Sequence, residues 1–201
     1  MLSKSIVLVI GFLLLGTAVS TQTWSSWWGE TTRYDGARTL KNRSYKSLEI
    51  HGAATLDHVT VEKNLMVTGS TELEDSTVQG NVTIMGALET KGACVLGGRA
   101  DIKGGLIAQG LQAKGKLVVG GSIESTDSQF GFIVAKSNKN ETYMFTKSDG
   151  DALTVYGLGT KRVTLKDAHF STIEFGDSEG VVVLKGSATV GGVINGKIEK
   201  K

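Results

Sequence analysis

Between Val78 and Gly121 apolar and polar positions alternate, and a glycine interrupts the alternation about every six residues: Gly80, Gly86, Gly92, Gly98, Gly104, Gly110, Gly115 and Gly121. Two and four positions ahead of most of these glycines the residues are apolar or small. The pairs are Val82 and Ile84, Cys94 and Leu96, Ala100 and Ile102, Leu106 and Ala108, Leu111 and Ala113, and Leu117 and Val119. Alternation turns one face of a short strand inward and the other to water. Glycine lets the backbone turn a corner that a side chain would block. A repeat this short cannot bury its apolar face alone, so it must stack on its neighbours. Three steps make one triangular coil of about 17 or 18 residues. The pattern therefore predicts an all-β, single-stranded β-solenoid.

The same phase starts earlier. Leu48 and Ile50 precede Gly52, and Leu65 and Val67 precede Gly69. His58, Asn64 and Asp75 take the place of glycine at some corners, where Asn and Asp tolerate unusual backbone angles better than most residues. From residue 122 to 152 the repeat degrades. That stretch reads as an irregular insertion with a protruding hairpin, Phe132 to Ala135 against Tyr143 to Thr146. Alternation resumes at Leu153 and Val155 and runs on to Val190 with wider spacing. The expectation is about seven coils over residues 47–198. No stretch after the N-terminal segment shows the 3.6-residue period of an amphipathic helix.

The N-terminal 20 residues carry Lys4, an apolar run from Ile6 to Leu15, and the small residues of Ala18-Val19-Ser20. They read as a signal peptide matured after Ser20, or as a short signal anchor if it is retained. Trp24, Trp27 and Trp28 follow at once. Tryptophan favours the membrane–water interface, so this cluster is a membrane contact, a cap on the solenoid end or a docking patch. Residues 21–46 read as a tryptophan-containing linker or cap. The expected location is outside the cytoplasm: periplasm, cell envelope or medium, or membrane-anchored if the signal is not cleaved.

Composition narrows the reading. With 27 glycines and no proline, the chain suits a fold with many corners whose strands all donate hydrogen bonds. A formal charge of +2 argues against a nucleic-acid surface. Cys94 is the only cysteine and falls in the inward phase, so it reads as a buried small side chain.

Stacking residue i on i+17 puts Asp57, Glu74 and Lys91 on one ladder, Glu72 and Glu89 on another, and His58 over Asp75. Carboxylate ladders of this kind occur in carbohydrate-active β-helix enzymes, and paired carboxylates serve glycoside hydrolysis. They are also ordinary solvation of a sheet surface, and this is the preferred reading. His51, His58 and His169 sit in no catalytic or metal-binding motif. No catalytic residue, cofactor or metal ligand is assigned, and the chain is read as non-enzymatic. The candidate contact surface is Trp24, Trp27, Trp28, Phe130 and Phe132. Charge is also segregated along the chain. Residues 49–75 carry six acids against Lys63, while residues 76–120 carry Glu89 and Asp101 against five basic side chains. Such segregation is compatible with staggered self-association, but ordinary variation along a solvated surface is the preferred reading.

The units Gly80 to Gly86 (G-x-V-x-I-x-G), Gly104 to Gly110 (GGLIAQG) and the block Val181 to Lys197 resemble the bactofilins. The resemblance covers about 110 residues. It implies a right-handed β-helix and a polymer-forming structural protein that assembles by end-to-end stacking of coils. The expected function is thus a self-associating scaffold of the envelope. The alternatives are an exported adhesin-like or ligand-binding solenoid and, third, a carbohydrate-active enzyme built on Asp57 and Glu74.

Overall fold

The computed structural model describes residues 30–177 and 180–201, and no helix occurs among them. Twenty-three strands form one continuous sheet. Every pairing is parallel and joins a strand to its equivalent one coil later. The chain is a β-solenoid of about ten coils rather than about seven. The difference has two sources, one at each irregular stretch of sequence.

First, residues 31–45 are coil, not linker. Thr31–Asp35 pairs with Ser47–His51, and Arg38–Tyr45 pairs with Ala54–Val61. The inward phase continues through Leu40 and Tyr45, both buried. Arg33, Lys41 and Arg43 belong to the outward face, whereas Arg38 takes an inward-phase position beside Ala54 at the open end; together they concealed the alternation.

Second, residues 122–152 are regular coils, and the expected hairpin does not form. Ile133 lies beside Leu117 and Leu153, whereas Tyr143 lies beside Ile123 and Val163. The coil lengthens here instead. The offset is 17 residues where Leu106 meets Ile123 and 20 where Tyr143 meets Val163. A longer perimeter encloses a wider core, which aromatic rings fill. Phe130, Tyr143, Phe145, Phe170 and Phe175 are all buried. Phe145 packs edge-on against Phe130 (centroids 6.0 Å apart, 82° between planes) and against Phe170 (4.8 Å, 64°). In the earlier coils the same ladders hold mostly smaller side chains: Ser125, Ala108, Thr90 and Leu73 precede Phe145, and Ile123, Leu106, Leu88 and Thr71 precede Tyr143.

The three faces can be followed by residue. The first carries Ser47–His51, Leu65–Val67, Val82–Ile84 and Ala100–Ile102. The second carries Thr71–Glu74, Leu88–Lys91, Leu106–Gln109 and Ile123–Thr126, and later Lys161–Lys166, Gly180–Lys185 and Gly196–Lys200. The third carries Thr77–Val78, Cys94–Leu96 and Leu111–Ala113. Strand pairs Ala54–Val61 and Gln129–Lys136 bridge two faces each.

The corners obey different constraints. Between the second and third faces the backbone passes through the left-handed region in successive coils, at Asn42, His58, Asp75, Gly92, Gly110, Asp127, Lys147, Asp167 and Gly186. His58 and Asp75 thus substitute for glycine as expected. Asp75 and Asp167 also brace the next coil, their Oδ1 atoms accepting the backbone N–H of Ala93 (2.8 Å) and Ser187 (2.8 Å). Asn64 does something else. It is not left-handed, and its Oδ1 accepts the N–H of Asn81 (3.1 Å), whose own Oδ1 accepts the N–H of Arg99 (3.0 Å). This asparagine ladder ties a second corner.

At the remaining corner glycine serves close approach. A Cβ on Gly69 would stand 2.6 Å from the Gly52 carbonyl oxygen and 2.7 Å from the Ala53 nitrogen. One buried row behind the left-handed corner is largely polar, Ser76, Cys94, Ser128 and Ser148, with Leu111 between Cys94 and Ser128. Ser76 Oγ donates to the Glu74 carbonyl (2.7 Å) and Ser148 Oγ to that of Thr146 (2.9 Å). Cys94 takes the serine place, its thiol donating to the Leu73 and Lys91 carbonyls at 3.3 Å. Burial pushes the Cys94 thiol above its usual pKa, which keeps it protonated and unreactive.

The corner contacts separate two glycines sharply. Gly69→Ala is expected to destabilise the fold by about 1–3 kcal/mol through overpacking against a backbone that cannot yield. Gly192→Ala, where a Cβ meets nothing within 4 Å, should stay within about 0.5 kcal/mol of the native chain. Urea unfolding of both variants checks this.

Candidate functional site

The predicted contact residues separate. Phe130 is a core residue, 5% exposed, because its position on Gln129–Lys136 falls in the inward phase, so it is withdrawn as a contact residue. Phe132, two positions on, crosses a corner and is 60% exposed. It stands beside Ala152 on the next coil. Trp24, Trp27 and Trp28, and the expected signal at residues 1–20, lie outside the described residues. No helix among the described residues is long and apolar enough to cross a membrane.

The carboxylate ladders form as the 17-residue stacking predicts. Asp57 lies beside Glu74, Glu74 beside Lys91, and Glu72 beside Glu89. The like charges are neutralised by cations from the same face. Lys91 Nζ reaches Glu72 (2.5 Å) and Glu89 (3.1 Å), and these two bonds raise its pKa. Asp57 is gripped by His58 Nδ1 (2.5 Å) and Lys41 Nζ (2.9 Å). The His58 hydrogen bond, then that of Lys41, holds its carboxyl below the usual carboxylate range. A carboxyl kept ionised in this way is a charge partner rather than a proton donor, since a general acid needs its pKa raised.

The larger surface depressions run along one corner of the later coils. One is lined by Lys136, Ser137, Asn138, Tyr156 and Gly157, the next by Gly176, Asp177, Gly180 and Asn195. Beneath them lies a residue the sequence did not single out. Lys161 is buried, and its Nζ donates to the carbonyls of Ser137 (2.6 Å) and Lys139 (2.5 Å). Burial lowers its pKa. It fastens the longer corner 137–140 to the next coil and so does structural work.

The last coil is the most distinctive surface. Thr189–Ile194 and Gly196–Lys200 pair only with the coil before them, through His169–Phe175 and Gly180–Lys185. Among the described residues, nothing takes up their outer edge. Ile198 continues the core ladder above Val182, yet it is 49% exposed where Val182 is fully buried. Val190 and Val193 continue the Phe170 and Ile173 ladders and are only partly buried. The offset is 20 residues where His169 meets Thr189 but 16 where Gly180 meets Gly196, because the corner at Asn195 is shorter than the one after Phe175. Alternation alone does not reveal this surface, because the residues are ordinary core residues whose neighbour on one side is missing.

No family model matches the chain, and no characterised protein or solved structure matches it either.

His58 supplies a pH-dependent element. Its bond to Asp57 raises its pKa above the usual value near 6.5. The stabilisation is complete below that value and is lost as pH rises through the raised pKa of the folded chain. An NMR titration of the His58 ring should give a midpoint above 6.5, and Asp57→Asn should return it toward that value.

Proposed function

We propose that this chain is a non-enzymatic structural protein that self-associates by stacking solenoid ends, a scaffold of bactofilin-like type acting at the cell envelope after export. One observation carries the reading: the final coil presents an unpaired parallel strand edge with core positions uncovered, as at Ile198. Such an edge is a template for another chain. A head-to-tail contact that does not close gives a filament. The abundance of tied surface charge, with Asp57 and Lys91 both committed to partners, supports a structural over a catalytic role.

A second reading, a binding solenoid for an external ligand, draws on Phe132, which is more exposed than any other phenylalanine among the described residues. Electron microscopy and light scattering of the purified full chain separate the two. Scaffolding predicts filaments or sheets, reduced to small species by Ile198→Glu, which places a charge where the next coil must seat. A native chain that stays monomeric at high concentration sinks end stacking and leaves Phe132 as the feature to pursue.

A further inference from the structure

The charges along the second face are sorted by the fold in a way that the linear sequence does not show. Its outward edge row runs, coil by coil, through Lys41, Asp57, Glu74 and Lys91, then through Gln109, Thr126 and Thr146 to Lys166 and Lys185. The middle row runs through Glu72, Glu89, Ile107, Glu124, Met144, Thr164 and Val183. The early half of this face is acidic, and Lys91 within it is already held by Glu72 and Glu89. The late half is mainly basic, with Glu199 continuing the middle row beyond Val183. Lys166 and Lys185 lie side by side on neighbouring coils, and Arg162 reaches across the Val183 rung to Glu199 at 3.5 Å. The basic residues Arg99, Lys103 and Lys116, which follow the acidic stretch in sequence, stand on or beside the first face instead.

Like charges on adjacent strands repel unless something opposite covers them. The cover that fits the whole face is the face itself, reversed. We propose that two copies of this chain pair laterally through their second faces, antiparallel, about a twofold axis that crosses the sixth coil at Glu124. This contact is separate from end stacking and goes beyond it. Rotation about that axis sets the third coil of one copy against the ninth of the other. Glu74 then meets Lys185, and by symmetry Lys185 meets Glu74. Lys91 in the fourth coil falls opposite Lys166 in the eighth, but Lys91 is held by both Glu72 and Glu89, so the group that Lys166 meets carries a net negative charge. Ile107 in the fifth coil meets Met144 in the seventh; they are 51% and 37% exposed, and they form an apolar centre inside the charged halves. A parallel arrangement would set acid on acid and base on base, so the charges select the antiparallel one. In the sixth coil Glu124 and Thr126 each face their own copy, and Glu124 is the one charged residue of the two.

Glu74 and Lys185 lie six coils apart on one chain, about 29 Å at about 4.8 Å per coil, and cannot touch within it. This makes a charge swap decisive. Sedimentation equilibrium of the full chain is run at about 0.01 M and about 1 M salt, where the screening length falls from about 30 Å to about 3 Å. The same runs on the Ile198→Glu chain remove end stacking, so failure of the filament reading cannot be mistaken for failure of this one. The expected result is a dimer at low salt that dissociates at high salt. Glu74→Lys and Lys185→Glu should each weaken it at least about tenfold, and the double swap on one chain should restore it. Glu124→Gln should tighten it. A monomer at low salt, or single reversals without effect, would overturn the proposal. So would failure of the double swap to rescue. Capture of phosphatidylglycerol vesicles by an otherwise monomeric chain, abolished by Lys185→Glu, would assign the basic half to a lipid surface and overturn it too.

Discussion

The molecule depends on one constraint: each coil must lie in parallel register on the last, because no coil can satisfy its own backbone or cover its own apolar side chains. Between the end coils, the N–H and C=O groups that point along the axis pair one coil away, as when the Gly69 amide meets the Gly52 carbonyl at 2.9 Å. Inward side chains meet their counterparts at the same step, so Leu48, Leu65 and Val82 form one continuous column. Register is thereby over-determined. A slip by one residue would turn that whole column outward.

From this follow the rules at the corners. A corner has to repeat in every coil at the same place, or the ladders on either side lose step. One corner meets the requirement with left-handed backbone, one with glycines pressed on glycines, and one with an asparagine ladder. Changes of coil length are taken up at the corners: the offset is 16 where Leu117 meets Ile133 and 20 on the next face, where Ile123 meets Tyr143. The passage from 17 to 20 residues is accompanied by larger inward side chains, so the wider perimeter remains filled.

A solenoid built this way has two kinds of free surface. Its ends are interrupted versions of its own interior, and its flanks are charge ladders whose composition changes slowly along the axis. The proposed function and the proposed lateral pairing use one each, the ends through backbone pairing and the flank through charge. That gives a physical basis for reading the protein as a building element, with the charge on Asp57 and the thiol of Cys94 serving the fabric rather than chemistry.

The sequence by itself determined the architecture. Period-2 alternation with a glycine about every six residues has few solutions other than stacked short strands, and it located Cys94, the Asp57–Glu74–Lys91 ladder and the corner roles of His58 and Asp75. It was less legible wherever local signals compete with a repeat of long range. The basic run before Tyr45 masked the first coil. Turn residues near Asn138 suggested a hairpin, although the same residues serve equally well in a widened corner, and only pairing across 20 positions decides between them. Phe130 and Phe132 differ by two positions and in one strand would share a face; the corner between them sends one inside and the other out. The candidate surfaces were decided by the tertiary structure alone. An open strand edge is a property of which neighbour is missing. A face with two charge halves arises because residues about a hundred positions apart, such as Glu74 and Lys185, are brought onto one side by a repeat whose length changes along the way.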